Sequence, residues 1–136
     1  MAQPRPQDGG PRLYDDLAWL WPIVSPLEDY REECAEYRRL IEQRSRRPVR
    51  SLLHLGCGGG HHDYHLQRHF AVTGVDRSPA MLALARRLNP GATYRVGDLR
   101  ELRLGEAFDA VVLFDAVAYM RSPDDLRAAF ETAFAQ

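Results

Sequence analysis

The run Leu52-Leu53-His54-Leu55-Gly56-Cys57-Gly58-Gly59-Gly60 carries the strongest chemical signal in the chain. Glycine lets a backbone turn sharply and lets a ligand approach with no Cβ in the way. Such a loop between a strand and a helix offers free backbone N–H groups to an anionic ligand. Twenty positions after Gly56 stands Asp76, closing the apolar run Val72-Thr73-Gly74-Val75. A carboxylate at a strand end can accept hydrogen bonds from both hydroxyls of a ribose. The pair points to a nucleoside-bearing cofactor. A dinucleotide fingerprint, G-x-G-x-x-G/A, wants a small residue at position 61, which is His61 here. The spacing is instead Gly56-x-Gly58-x-Gly60, which disfavours NAD.

That spacing resembles the first motif of class I methyltransferases that use S-adenosylmethionine (SAM). Three further segments resemble the family in the family's order: Val75-Asp76-Arg77, Val96-Gly97-Asp98-Leu99, and Phe108-Asp109-Ala110-Val111 with its continuation to Met120. The resemblance spans about Val49 to Met120. It implies that Gly56, Cys57, Gly58 and Gly60 wrap the methionine part of SAM. It implies that Asp76, with Arg77 beside it, holds the ribose, and that Asp98 and Leu99 meet the adenine. Phe114 and Asp115 would lie near the transferred methyl group, with Asp109 structural in the turn before them. The chain departs from the family at His54, where relatives carry an acid. Tyr14-Asp15 resembles a pair found in N-terminal lids of small-molecule methyltransferases, with Trp19 nearby. These aromatics could equally do no more than pack the N-terminal helices on the sheet.

The implied reaction is direct transfer of a sulfonium methyl to an N, O or C nucleophile of a small molecule. The protein's part would be to align the nucleophile and exclude water. A base is needed only for a protonated nucleophile; Asp115, His62 and Tyr119 are the candidates, and position does not choose among them. The alternative is a non-catalytic SAM-binding or assembly module that needs a partner.

Other clusters speak more softly. His61, His65 and His69 recur every four residues and could share one helix face, but one straight helix cannot easily close a tetrahedral metal site. They read as surface histidines, with His61 or His62 near the cofactor mouth, and no metal is expected. Arg44, Arg46, Arg47 and Arg50 read as a solvated helix end. The 18 basic residues are all arginine, so a lysine base or P-loop lysine is not available in this chain. A net charge of -1 argues against a nucleic-acid partner. The apolar runs are all far short of a membrane span. Two cysteines, Cys34 and Cys57, make no disulfide framework and fit a reducing, cytoplasmic setting.

The elements that must position these residues follow from periodicity. Residues 1–12, rich in Pro, Gly and Gln, read as a flexible tail. Residues 13–48 read as an N-terminal helical lid segment. Within it, one short helix should stop before Pro22, and a second should start at a Ser25/Glu28 capping box and end near Arg46. Residues 49–136 read as an incomplete SAM-binding domain. Its expected strands are 50–55, 72–76, 93–96 and 108–114, with helices from His62 to His69, from Ser78-Pro79 and from Ser122-Pro123. This alternation predicts an α/β fold with a parallel sheet and right-handed crossovers. The family resemblance implies that it is a Rossmann-like sheet of order 3-2-1-4 with flanking helices, truncated before the family's strands 5–7. The fourth strand would then be an apolar edge, and a homodimer through it is the expected way to cover it.

Overall fold

The structure is a computed structural model that describes residues 12–136. Apart from Arg12, the expected tail lies outside the described residues. Four parallel strands, β1 (Ser51–Leu55), β2 (Ala71–Asp76), β3 (Thr93–Val96) and β4 (Ala110–Val112), form one sheet of order β3-β2-β1-β4. Leu53 of β1 pairs with Thr73 of β2 on one side and Val111 of β4 on the other. Asp76, the last residue of β2, pairs with Val96. The predicted fold class and strand order are the observed ones.

β1 is central, and residues Leu52 to Leu55 are each 1% exposed or less. Alternation sends Leu52 and His54 to one face, Leu53 and Leu55 to the other. Leu52 packs with Cys34, Leu66, Phe70 and Val72 under α2 (Arg31–Arg44) and α3 (His61–Leu66). Leu53 and Leu55 pack with Val75, Leu99 and Ala129 under α5 (Pro123–Phe134). Each buried leucine contributes about 1.5–3 kcal/mol to holding the sheet between its helices. A third cluster, Cys57, Leu82, Ala85 and Tyr94, seats α4 (Pro79–Leu88) beside the glycine loop.

Local chemistry sets the helix starts. Ser78 Oγ accepts from the Met81 N–H at 3.1 Å, and Ser122 Oγ accepts from the Asp125 N–H at the same distance. Each is followed by proline at the first helical turn, as expected. Elsewhere the expectations need correction. Pro22 does not end a helix; it lies in the first turn of α1 (Trp21–Val24), where its missing N–H costs nothing. Two short 3-10 turns, Arg12–Tyr14 and Ala18–Leu20, precede it. The Ser25/Glu28 capping box is absent. Ser25 Oγ bonds the Tyr30 hydroxyl, Glu28 pairs with Arg31, and a 3-10 turn, Leu27–Tyr30, leads into α2.

α3 stops at Leu66, so His69 lies beyond it. β4 is three residues long rather than seven. Its ladder ends opposite His54, one residue before β1 itself ends at Leu55, which pairs only with Val75 of β2. At its entry, Asp109 Oδ2 accepts from the N–H groups of Arg50 (2.8 Å) and Ser51 (2.9 Å), the structural role expected of it. Those bonds hold its carboxyl below the usual range.

Candidate functional site

The carboxyl ends of the strands open onto a cavity of about 820 Å³. Its floor is the glycine loop. Gly56, Gly58 and Gly60 have φ of 77°, 55° and 79°, in the region that favours glycine. At Gly60 a Cβ would stand 2.6 Å from Asn89 Nδ2 and 2.9 Å from the Tyr94 hydroxyl. At Gly58 a Cβ would meet only Met81, so that side of the loop is bare backbone.

Asp76 ties the loop to the next helix. Its Oδ2 accepts from the Gly58 N–H and its Oδ1 from the Ser78 N–H, each at 2.9 Å. A carboxylate has about four acceptor sites, so two remain for hydroxyl donors in the cavity it lines. Ser78, expected only to cap, also donates its hydroxyl to the Tyr14 carbonyl and so tethers the N-terminal segment to this wall.

Asp98 and Leu99 line the cavity past β3. The Arg100 guanidinium bonds Asp98 (Nη2 to Oδ2, 2.7 Å), and this holds the Asp98 carboxyl below the usual range. Arg100 also reaches Asp125 of α5 at 3.2 Å. Arg77 stands at the rim, largely exposed, 3.8 Å from Asp98. Leu99 is buried in the core beneath.

The inner end of the cavity is aromatic. Phe114 stacks on Tyr37 with centroids 4.2 Å apart and meets the rings of His54 and His62 at 4.9 and 4.8 Å. Asp115 begins a 3-10 turn, Asp115–Tyr119, whose Tyr119 hydroxyl bonds that of Tyr14 across the mouth. Burial, helped by this bond, pushes the Tyr14 hydroxyl well above its ordinary pKa. Trp19 is 62% exposed and away from the cavity; Trp21 lines it instead, donating from Nε1 to His61 Nδ1 at 3.1 Å.

His61 and His62 are buried, not surface histidines, because Trp21, Tyr30 and α2 cover them. Burial lowers the pKa of both. For His62, the neighbouring His54 adds to the lowering, while Glu33, whose Oε2 lies 3.3 Å from His62 Nε2, opposes it. His65 instead bonds the Leu27 carbonyl through Nε2 at 2.9 Å.

These residues can hold a nucleoside against Asp76 and shut a small molecule beneath Tyr14 and Tyr119. The family described as a methyltransferase domain matches residues 52–135. The chain belongs to that family. The expected resemblance to SAM-dependent methyltransferases is thereby borne out.

Among curated relatives, the dTDP-3-amino-3,6-dideoxy-alpha-D-glucopyranose N,N-dimethyltransferase of Streptomyces fradiae is 39% identical over 85% of this chain and 47% of its own length. A dTDP-3-amino-3,4,6-trideoxy-alpha-D-glucopyranose N,N-dimethyltransferase of Streptomyces venezuelae is 41% identical over 75% of this chain and 44% of its own. Among solved structures, a sugar N-methyltransferase from a Streptoalloteichus species superposes with a TM-score of 0.76 at 33% identity, covering 98% of this chain and 53% of that one. A SAM-bound amino pentose methyltransferase from Micromonospora echinaspora, involved in calicheamicin biosynthesis, gives 0.73 at 32% identity, covering 95% and 53%. The chain spans about half the length of the curated relatives it matches.

Several cavity residues had escaped the sequence reading: Trp21, Tyr30, Met81 and, as a lining residue, His54. Of these only His54 stands out in the sequence, as the position where the chain departs from the family. Asp63, whose Oδ1 lies 2.6 Å from His54 Nδ1, leaves no such trace, because the two sit on different elements, α3 and β1.

Proposed function

We propose that this chain is the cofactor-binding half of a SAM-dependent methyltransferase acting on a nitrogen of a small molecule, an amino sugar above all. The observation that carries this is one cavity lined at once by Gly56–Gly58, Asp76, Asp98, Leu99, Phe114, Asp115 and the Tyr14–Tyr119 pair. The residues fit the cofactor. Asp76 has acceptor capacity left for the ribose, Asp98 and Leu99 offer a polar and an apolar edge for the adenine, and the bare loop at Gly58 admits the methionine part. When bound, SAM supplies a methyl group already activated by its sulfonium. Gly56, Cys57 and Gly58 line the floor, Gly60 supports it from behind against Asn89 and Tyr94, and Arg77 stands at the rim.

The chain's own residues orient and shield. Residues 13–48 act as a lid, with Tyr14 closing on Tyr119 to keep water out; Trp19 flanks this lid from outside. A neutral amine needs no base to attack, so the need falls on whichever group takes up its proton. His62, kept neutral by burial, is best suited; Asp115 and Tyr119 are the alternatives. The relatives that methylate nucleotide-linked amino sugars support this acceptor class. The test is a methyl-transfer assay with SAM over a panel of amino sugars, nucleotide-linked and free, against hydroxylated analogues. Transfer confined to the hydroxyl acceptors would overturn the nitrogen assignment.

A second reading, a SAM-binding module that needs a partner, is favoured by the open edge of β4. That edge pairs only with β1 among the described residues. A homodimer through this edge would cover it. No helix among the described residues is long and apolar enough to cross a membrane. A cytoplasmic location fits the two free, buried cysteines.

A further inference from the structure

Side chains tie the N-terminal segment to the cavity wall. Ser78 donates its hydroxyl to the Tyr14 carbonyl, the Tyr14 and Tyr119 hydroxyls bond each other, and Trp21 Nε1 donates to His61 Nδ1 at 3.1 Å. Of these contacts only the last rests on a group that titrates near neutral pH. The indole stands edge-on to the imidazole with centroids 6.1 Å apart, and it also meets the Tyr14 ring at 5.6 Å. Trp21 is pressed on the glycine loop as well: a Cβ at Gly59 would stand 2.9 Å from Trp21 Cδ1. Gly59 therefore gives the indole its room, and an added methyl group would push it off.

An indole N–H only donates, so His61 Nδ1 must accept, and the hydrogen of the neutral ring is on Nε2. Protonation puts a hydrogen on Nδ1 too. Two donors then face each other and the bond is lost, while His61, which is buried, keeps the cost of an unpaired donor.

We infer that Trp21 and His61 form a pH-sensitive latch, which holds the N-terminal segment on the glycine loop while His61 is neutral and releases it when His61 is protonated. The inference rests on the lid reading given above and deepens it. Burial, and to a lesser degree the neighbouring His62 and His65 of α3, keep His61 neutral to lower pH than an ordinary histidine. The latch bond is complete above that range and is lost as pH falls through the folded value. Tyr30, from the turn Leu27–Tyr30, has its ring 5.4 Å from that of His61, and Tyr14 lies beside Trp21. Burial carries both hydroxyls above their ordinary range, so both stay neutral here. Glu33 of α2 and Asp115 beyond β4 act on His62 and Tyr30.

The test follows Trp21 in the whole chain with Trp19, the other tryptophan, changed to Phe. Between about pH 7.5 and pH 5 the Trp21 emission should shift to longer wavelength, and acrylamide should quench it more, with a midpoint below the ordinary 6.5. The helix signal in circular dichroism should stay level. His61→Asn puts an amide oxygen near the place of Nδ1 and does not titrate, so Trp21 should keep its neutral-pH emission throughout. Gly59→Ala should show the acid form already at neutral pH. On the unaltered chain, amide exchange in residues 18–25, measured against α2, should speed up by up to about tenfold per pH unit as the pH falls. S-adenosylhomocysteine (SAH), which SAM becomes on losing its methyl group, should dissociate faster over the same range. A Trp21 signal that stays level, one that still titrates in His61→Asn, or one that moves only with loss of the helix signal overturns the latch, whether or not SAH binds. Exchange in residues 18–25 that keeps pace with α2 overturns it without any variant. The full transition in a chain that binds no SAH leaves the latch standing and ends the SAM reading.

Discussion

The Asp76 carboxylate holds the Gly58 and Ser78 N–H groups and keeps two acceptor sites for hydroxyl donors, the ribose hydroxyls in the proposed function. Asp76→Ala should weaken SAH binding by ~1.5–3 kcal/mol, the scale for bonds to a charged group, as read by calorimetry. Wild-type affinity in a folded variant would place the ribose elsewhere. Protonation offers a second check at this scale. His61 and His62 titrate below the ordinary histidine value of 6.5, burial being the main cause. The unfolded chain takes up protons near 6.5, while the folded chain refuses them until lower pH. Their contribution to stability is complete above that value and is lost as pH falls from it through the folded values. Melting temperature should therefore decline between about pH 7 and pH 5, and less so in His62→Gln. A profile unchanged by His62→Gln would argue against a buried neutral imidazole. What was legible at this scale was whatever chemistry is local: the glycine spacing, and Asp76 closing an apolar run. His54–Asp63 was not, because its meaning comes from a helix folding back over a strand, and nothing in the spacing of the two residues marks them as a pair.

At the scale of elements, the glycine loop works because α4 and β3 press against it. Gly60 faces Asn89 and Tyr94 with no room for a methyl group and has φ of 79°. Gly60→Ala should cost at least ~1–3 kcal/mol of stability, combining a left-handed backbone with a clash. Denaturant unfolding would show it as a lower midpoint, and an unchanged midpoint would mean the loop is not held as described. The strands and the helices after Ser78 and Ser122 were readable because apolar runs, caps and prolines agreed. The N-terminal segment misled because Pro22 can either end a helix or open one. The residues before it form a 3-10 turn rather than an α-helix, so it opens one. Likewise Ser25 found a side-chain partner in Tyr30 and left its capping role unfilled.

On the scale of the whole molecule, the sheet has β4 at one edge, and α5 beside it leaves Phe130 and Phe134 50% and 92% exposed. Apolar surface of this kind beside an unpaired strand favours association. Light scattering over a dilution series should show a dimer or larger species that dissociates on dilution. A monomer at high concentration, with the β4 amides strongly protected from exchange, would show that the chain covers this edge itself. The parallel sheet was foreseeable from the strand–helix alternation, and its order from the family resemblance.

The central claim, that the cavity over the glycine loop takes SAM, meets its most direct test in calorimetric titration of the chain with SAH and, separately, with NAD. The glycines at 56, 58 and 60, His61 in place of a third small residue, and Asp76 with acceptor sites left predict one-to-one SAH binding and no heat from NAD. Binding of NAD with no SAH signal would contradict the account.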